Sequence, residues 1–176
     1  LNRNKIFVDR TKGVGVLSKE EAIRRSVTGP IARASGVTRD LRKDEPYLGY
    51  QDFDFRVCCA RAGDCYARYL VRMDEMRESL KIVEQAVENL PQGPVSVGMG
   101  ERASLPSKGM VYSTIEGLIT HFELVMSNRG FEVPCEEVYC ATEAPNGELG
   151  FYLVGDGTNR AYRARCRPPS FINLAL

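Results

Sequence analysis

The chain has 176 residues, a length that suits one domain able to bury a core without staples. Its 43% hydrophobic and 27% charged residues are an ordinary soluble composition, and a net charge of +1 supplies no footprint for nucleic acid. No apolar run approaches the roughly 18 residues of a membrane span, so membrane association is expected only through partners.

In chain order, Leu1-Asn2-Arg3-Asn4-Lys5 lacks an initiator Met and any signal-peptide pattern, and reads as the inside of a longer chain. Ile6-Phe7-Val8 and Val14 to Leu17 read as short strands. Gly13-Val14-Gly15 has no third glycine at the dinucleotide spacing and is taken as a turn. Ser18-Lys19-Glu20-Glu21 is a capping box, predicting a helix to about Ser26 that Gly29-Pro30 ends. Asp40-Leu41-Arg42-Lys43-Asp44-Glu45-Pro46-Tyr47, with Tyr50 and Phe53 behind it, reads as a solvated charge cluster, a proline turn and an aromatic anchor.

Asp64 is placed to cap a long helix. From there Tyr66, Tyr69, Met73, Met76, Leu80, Val83, Val87 and Leu90 step by three and four residues, one apolar seam flanked by Ile82 and Ala86. The two methionines on it read as gap-fillers. Arg68, Arg72, Glu75, Glu78 and Glu88 fall on the other side. Pro91-Gln92-Gly93-Pro94 stops the helix after about seven turns, roughly 39 Å.

Residues 95–110 form a surface loop by composition. Ser113-Thr114-Ile115-Glu116 is a second capping box. Its helix puts Ile115, Leu118, Ile119, Phe122, Val125 and Met126 on one face, His121 at the margin as a packing residue, and ends at Asn128-Arg129-Gly130. Val138 to Glu143, Glu148 to Val154 and Arg160 to Arg167 read as three strands. Tyr162, Ala164 and Cys166 alternate with Arg163, Arg165 and Arg167. That predicts one buried and one solvated face, or else a basic surface for an acidic partner. The fold class is therefore α+β, a helical bundle against a small antiparallel sheet near the C-terminal end. One domain is expected over 1–176, irregular with short elements to 60, helical over 61–130 and stranded over 131–167.

Six cysteines contain no Cys-x-x-Cys pair, and His121 is the single histidine, so no metal site is expected. Reduced, mostly buried thiols are the expectation; a disulfide between Cys58 and Cys59 would strain the backbone.

The run from Gly63-Asp64-Cys65-Tyr66 through Arg72-Met73-Asp74-Glu75-Met76-Arg77-Glu78-Ser79-Leu80-Lys81-Ile82 resembles the D subunit of bacterial NADH:quinone oxidoreductase, respiratory complex I. That family descends from the large subunit of [NiFe] hydrogenases. Ala34-Ser35-Gly36 with Asp40-Leu41-Arg42-Lys43 and Pro46-Tyr47, then His121-Phe122, are similar to the same family. So are Glu143-Ala144-Pro145-Asn146-Gly147-Glu148-Leu149-Gly150-Phe151-Tyr152-Leu153-Val154 and Pro168 to Leu174. The blocks cover nearly all of residues 3–176 but under half of the usual subunit.

The resemblance implies a hydrogenase large-subunit-like fold in a peripheral-arm subunit at the cytoplasmic face of the bacterial inner membrane. Electrons would leave NADH on another subunit, and quinone would be reduced between this subunit and an adjacent iron–sulfur subunit, with a C-type subunit also at hand. No catalytic or metal residue is expected in this stretch, and no cofactor bound by it. Alone it should hold no metal, nucleotide or flavin and have no activity. Glu143 and Asn146 are the quinone-cavity candidates. Complex I commonly carries Lys or Arg at the hairpin turn, where hydrogenases have an arginine over the nickel–iron site; this chain has Asn146. Ala67 stands where aspartate is usual, and Cys58-Cys59 is peculiar to this chain. The family's headgroup-binding histidine and tyrosine and its C-terminal tail lie outside these residues. Two alternatives stay open: a membrane-bound [NiFe] hydrogenase or ferredoxin- or F420-dependent complex, and a non-redox scaffold with the same fold.

Overall fold

A computed structural model describes residues 2, 4–93, 105–126 and 132–176. It contains helices α1 (Lys5–Thr11), α2 (Lys19–Arg24), α3 (Pro30–Ala34), α4 (Leu41–Asp44) and α5 (Cys65–Glu88). After these come α6 (Lys108–Ser113), α7 (Ile115–Val125), strands β1 (Glu137–Ala144), β2 (Gly147–Val154) and β3 (Arg163–Arg167), and α8 (Pro169–Leu174). The strands form one antiparallel sheet in the order β1-β2-β3. The α+β class expected from the sequence is the class observed. The chain separates into two compact units, Leu1–Leu90 with Cys140–Gly150 and Cys166–Leu176, and Pro91–Tyr139 with Phe151–Arg165.

The first unit is organised by α5. The Asp64 carboxylate accepts the Ala67 N–H at 2.7 Å as the expected cap, and its other oxygen accepts the Gly13 N–H at 2.8 Å. The helix ends at Asn89, ahead of Pro91, after 24 residues and roughly 36 Å. Its buried side is not the seam predicted from the spacing. Ala67, Val71 and Glu78 are buried, whereas Met76, Leu80, Val83, Val87 and Leu90 are exposed. Small side chains explain the first part, because Ala67 and Val71 let Ala34 of α3 and Cys58 approach closely. Charge pairing explains the second: Glu78 receives the Arg56 Nε–H at 3.1 Å and the Lys81 ammonium at 2.9 Å. A carboxylate can be buried when cations meet it.

Several other expectations are corrected. Residues Ile6-Phe7-Val8 are helical, because Asn4 caps α1 through the Phe7 N–H; Phe7 then packs edge-on against Tyr66 and Tyr69. Val14 to Leu17 form no strand of the sheet; they are tied to the α5 entry by Leu17 N–H to the Gly63 carbonyl and Cys65 N–H to the Val14 carbonyl, both 3.0 Å. Asp40 and Leu41 are not a solvated cluster but almost fully buried. Ser18 caps α2 as predicted. All six cysteines are free, yet only Cys58 is buried, so the expectation of mostly buried thiols does not hold.

In the second unit, Thr114 rather than Ser113 caps α7, since Ser113 closes α6, a helix the loop-like composition concealed. The two helices meet where Gly117 lies against the Met110 carbonyl. Ile115, Leu118, Ile119, Phe122, Val125 and Met126 are all exposed, and half-buried His121 sits edge-on to Phe122 at 6.1 Å. Residues 94–104 and 127–131 fall outside the described residues, and with them most of the expected 95–110 loop and the Asn128-Arg129-Gly130 stop. Turns at 133–136 and 155–158 are joined by backbone bonds between Val133 and Thr158 and between Gly155 and Glu136.

Strand β3 begins at Arg163, three residues later than expected, and its alternation does not separate a buried face from a solvated one. Tyr162, Arg163, Arg165 and Cys166 are all exposed, as befits a strand at the sheet edge. Arg167 instead turns inward, donating to the Glu148 carbonyl at 2.7 Å and the Ser26 carbonyl at 3.0 Å.

Candidate functional site

The site is built in the first unit around one buried arginine. Gly29 and Pro30 start α3, proline fitting the first helical turn where its missing N–H costs nothing. Ala34 of α3 packs on Ala67 and Val71 of α5, Ala32 packs on Ala22 and Val27, and Arg33 between them is carried inward, its side chain only 3% exposed. Its Nε donates to Glu75 on α5 at 2.6 Å, and another guanidinium nitrogen donates to Glu143 on β1 at 2.8 Å. The same nitrogen donates to the Arg39 carbonyl at 3.0 Å. Burial works against the guanidinium charge, but the two carboxylates more than offset it, and the affinity of Arg33 for its proton is raised.

Beside this triad, Asp40 caps α4 by accepting the Arg42 N–H at 3.0 Å, and takes two bonds from the Arg42 guanidinium, at 3.0 and 2.7 Å. Burial pushes the Asp40 carboxyl up, yet the Arg42 fork holds it below the usual range. Arg42 and Lys43 lie over the Phe55 ring, at 5.0 and 4.1 Å from its centroid. Tyr47, in edge-on contact with Tyr50, accepts the backbone N–H of Glu143 through its hydroxyl at 2.8 Å. This fastens the end of β1 to the aromatic cluster.

A cavity of about 370 Å³ opens against these groups. Arg33, Arg42, Arg72, Glu75 and Glu143 give it a charged wall, and Met76, Ala144 and Pro145 an apolar one. Its volume falls within the range of small-molecule sites. Burial pushes the Glu143 carboxyl above the ordinary glutamate range, despite Arg33 and a hydrogen bond from the Leu41 backbone. Among the described residues no cluster of three or more His, Cys, Asp and Glu side chains is placed to hold a metal ion.

Of the two residues singled out in the sequence, Glu143 is on the cavity wall. Asn146 is not on the wall but one residue beyond Pro145: its amide oxygen accepts from Arg72 at 3.2 Å and its amide nitrogen donates to Ser170 at 3.3 Å. Arg33, Arg72 and Glu75 escaped the sequence reading as site residues. Arg33 did leave a trace, a lone charge inside Pro30-Ile31-Ala32-Arg33-Ala34, a position where burial demands partners.

The model of the 49 kDa subunit of respiratory-chain NADH dehydrogenase matches residues 1–176. The chain belongs to this family. It is 53% identical over 175 residues to the D subunit of the NADH-quinone oxidoreductase of Myxococcus xanthus, covering 99% of this chain and 41% of that protein. The second D-type subunit of the Rhizobium etli enzyme is 49% identical over 174 residues, with 99% and 43% covered. The D subunit of the Methylacidiphilum infernorum enzyme is 49% identical over 176 residues, with 100% and 41% covered. The chain spans about two fifths of the length of these relatives. Among the described residues no helix is long and apolar enough to cross a membrane.

Proposed function

We propose that this stretch of the 49 kDa subunit family forms one wall of the quinone-reduction cavity of a NADH:quinone oxidoreductase. The observation that carries the reading is the position of Glu143. It stands where the β1–β2 hairpin meets a ligand-sized cavity, held by buried Arg33 and by Tyr47. The chain binds no cofactor of its own in this reading. It supplies walls and proton-bearing groups, while electrons arrive from an iron–sulfur cluster held by the adjacent subunit. A C-type subunit is the other neighbour, and the assembly is peripheral on the cytoplasmic face of the bacterial inner membrane.

A headgroup entering the cavity meets a mixed surface. Met76, Ala144 and Pro145 suit an apolar ring, and the guanidinium of Arg72 can meet a ring oxygen that gains negative charge. Glu143→Gln in the intact complex tests the reading. Quinone reduction should fall while NADH oxidation by an artificial acceptor, which bypasses the cavity, is kept. Equal loss of both rates would make the residue structural.

A further inference from the structure

Three arginines line the cavity, and two of them are committed to carboxylates. Arg33 bonds Glu75 and Glu143, and Arg42 closes a fork on Asp40. Arg72 differs. Among the described residues its hydrogen-bond partner is the Asn146 amide oxygen at 3.2 Å, a neutral group. With every side chain ionised, the three arginines balance Asp40, Glu75 and Glu143, so the wall has no net charge to draw in an ion. Its one positive end without a carboxylate is the Arg72 guanidinium, whose remaining N–H donors are uncommitted. Such a wall suits an uncharged ring with a carbonyl oxygen, which needs a donor at its edge rather than a counter-ion.

Arg72 is exposed, and a long side chain in solvent spreads over many rotamers. Asn146 restricts it, and Asn146 is itself fixed from the other side. Its amide nitrogen donates to the Ser170 hydroxyl at 3.3 Å, and its backbone carbonyl accepts from the Asn173 amide at 3.1 Å, both on α8. The hairpin turn is thereby fastened to α8 while its side chain holds a group of α5. A neutral amide orients the guanidinium without cancelling its charge, as an aspartate in the same place would.

We propose that Asn146 is a positioning residue of the cavity: it aims the Arg72 guanidinium at the ring oxygen and, being neutral, leaves that cation its full charge. Its effect on turnover rests on the cavity being the quinone site. Arg72 keeps its own proton and supplies hydrogen bonds, which strengthen as the oxygen gains electrons from the neighbouring subunit.

The test is quinone reduction by the intact complex, with kcat and KM for quinone separated and NADH oxidation by an artificial acceptor as the reference rate. Arg72→Gln should lower kcat for quinone by about tenfold or more, with a smaller rise in KM, since the lost bond is strongest once the oxygen is charged. Asn146→Asp keeps the acceptor in place but cancels the cation, and should lose at least as much as Asn146→Leu, which only releases it. Asn146→Leu should cost nothing further in the Arg72→Gln background. A purely structural amide gives the reverse order, because aspartate would hold Arg72 more firmly than asparagine does. Asn146→Asp losing less than Asn146→Leu, or an Asn146→Leu loss undiminished without Arg72, would overturn the positioning role. If Arg72→Gln fails to assemble, the order of the two Asn146 variants decides. Glu143→Gln judges the cavity itself. Selective loss of quinone reduction there, with Arg72→Gln and Asn146→Asp unaffected, sinks the positioning role alone; selective loss in none of the three sinks both.

Discussion

Gly29 and Gly147 meet backbone to backbone: a Cβ built on Gly29 would lie 2.4 Å from the Gly147 Cα, and one on Gly147 would lie 2.6 Å from the Thr28 hydroxyl. Both residues have positive φ, +74° and +129°. This contact joins the start of α3, which carries Arg33, to the start of β2, just after the hairpin turn that follows Glu143. Gly147→Ala combines backbone strain with a clash, and should destabilise the chain by about 2–4 kcal/mol. Chemical denaturation would read the loss, and Pro145→Ala, on an exposed neighbouring position, serves as the control.

Asp64 should govern acid stability. Burial raises its carboxyl, but the N–H groups of Gly13 and Ala67, with Arg68 nearby, outweigh this and hold it below the ordinary aspartate range. The stabilisation is therefore complete above the usual aspartate pKa and lost as pH falls through the depressed folded value. Asp64→Ala should cost about 1–2 kcal/mol at neutral pH. It should also flatten the fall in melting temperature on the acid side, which thermal melts across pH would show.

Replacing Arg33 with Met keeps the bulk but leaves Glu75 and Glu143 without their cation. Breaking a buried ion pair from one side costs about 3–5 kcal/mol. The double variant Arg33→Met, Glu143→Gln should recover part of it, because one of the two stranded charges is gone. A double-mutant cycle by denaturant unfolding would give the coupling.

Asn146→Lys probes the turn. At present the Asn146 amide oxygen accepts from Arg72, and a lysine would set a second cation against that guanidinium. In the intact complex the substitution should change quinone reduction more than NADH oxidation by an artificial acceptor. Equal effects on both rates would leave the hairpin a structural element only.

The exposed stripe Met76, Leu80, Val83 and Val87 on α5 should drive self-association of the isolated chain. Leu80→Lys and Val87→Lys together should shift sedimentation toward the monomer without lowering the melting temperature. Retained association would place the sticky surface elsewhere.

The sequence by itself determined the features that depend on near neighbours. The span of α5 follows from the Asp64 cap and the Pro91 stop, and the β1–β2 hairpin from two strand-like runs around Pro145-Asn146-Gly147. Block-by-block wording was enough to place the family, and it drew attention to Glu143. It could not tell which side of α5 is buried. Apolar spacing pointed to the stripe through Leu80, whereas the first unit buries the side holding Glu75 and Glu78. That choice belongs to the tertiary structure, because a carboxylate is buried only where a cation from elsewhere meets it. Arg33 is 42 residues from Glu75 and 110 from Glu143, distances at which spacing along the chain carries no signal. The sequence named one wall residue of the cavity; folding supplied the arginine that joins it to the long helix.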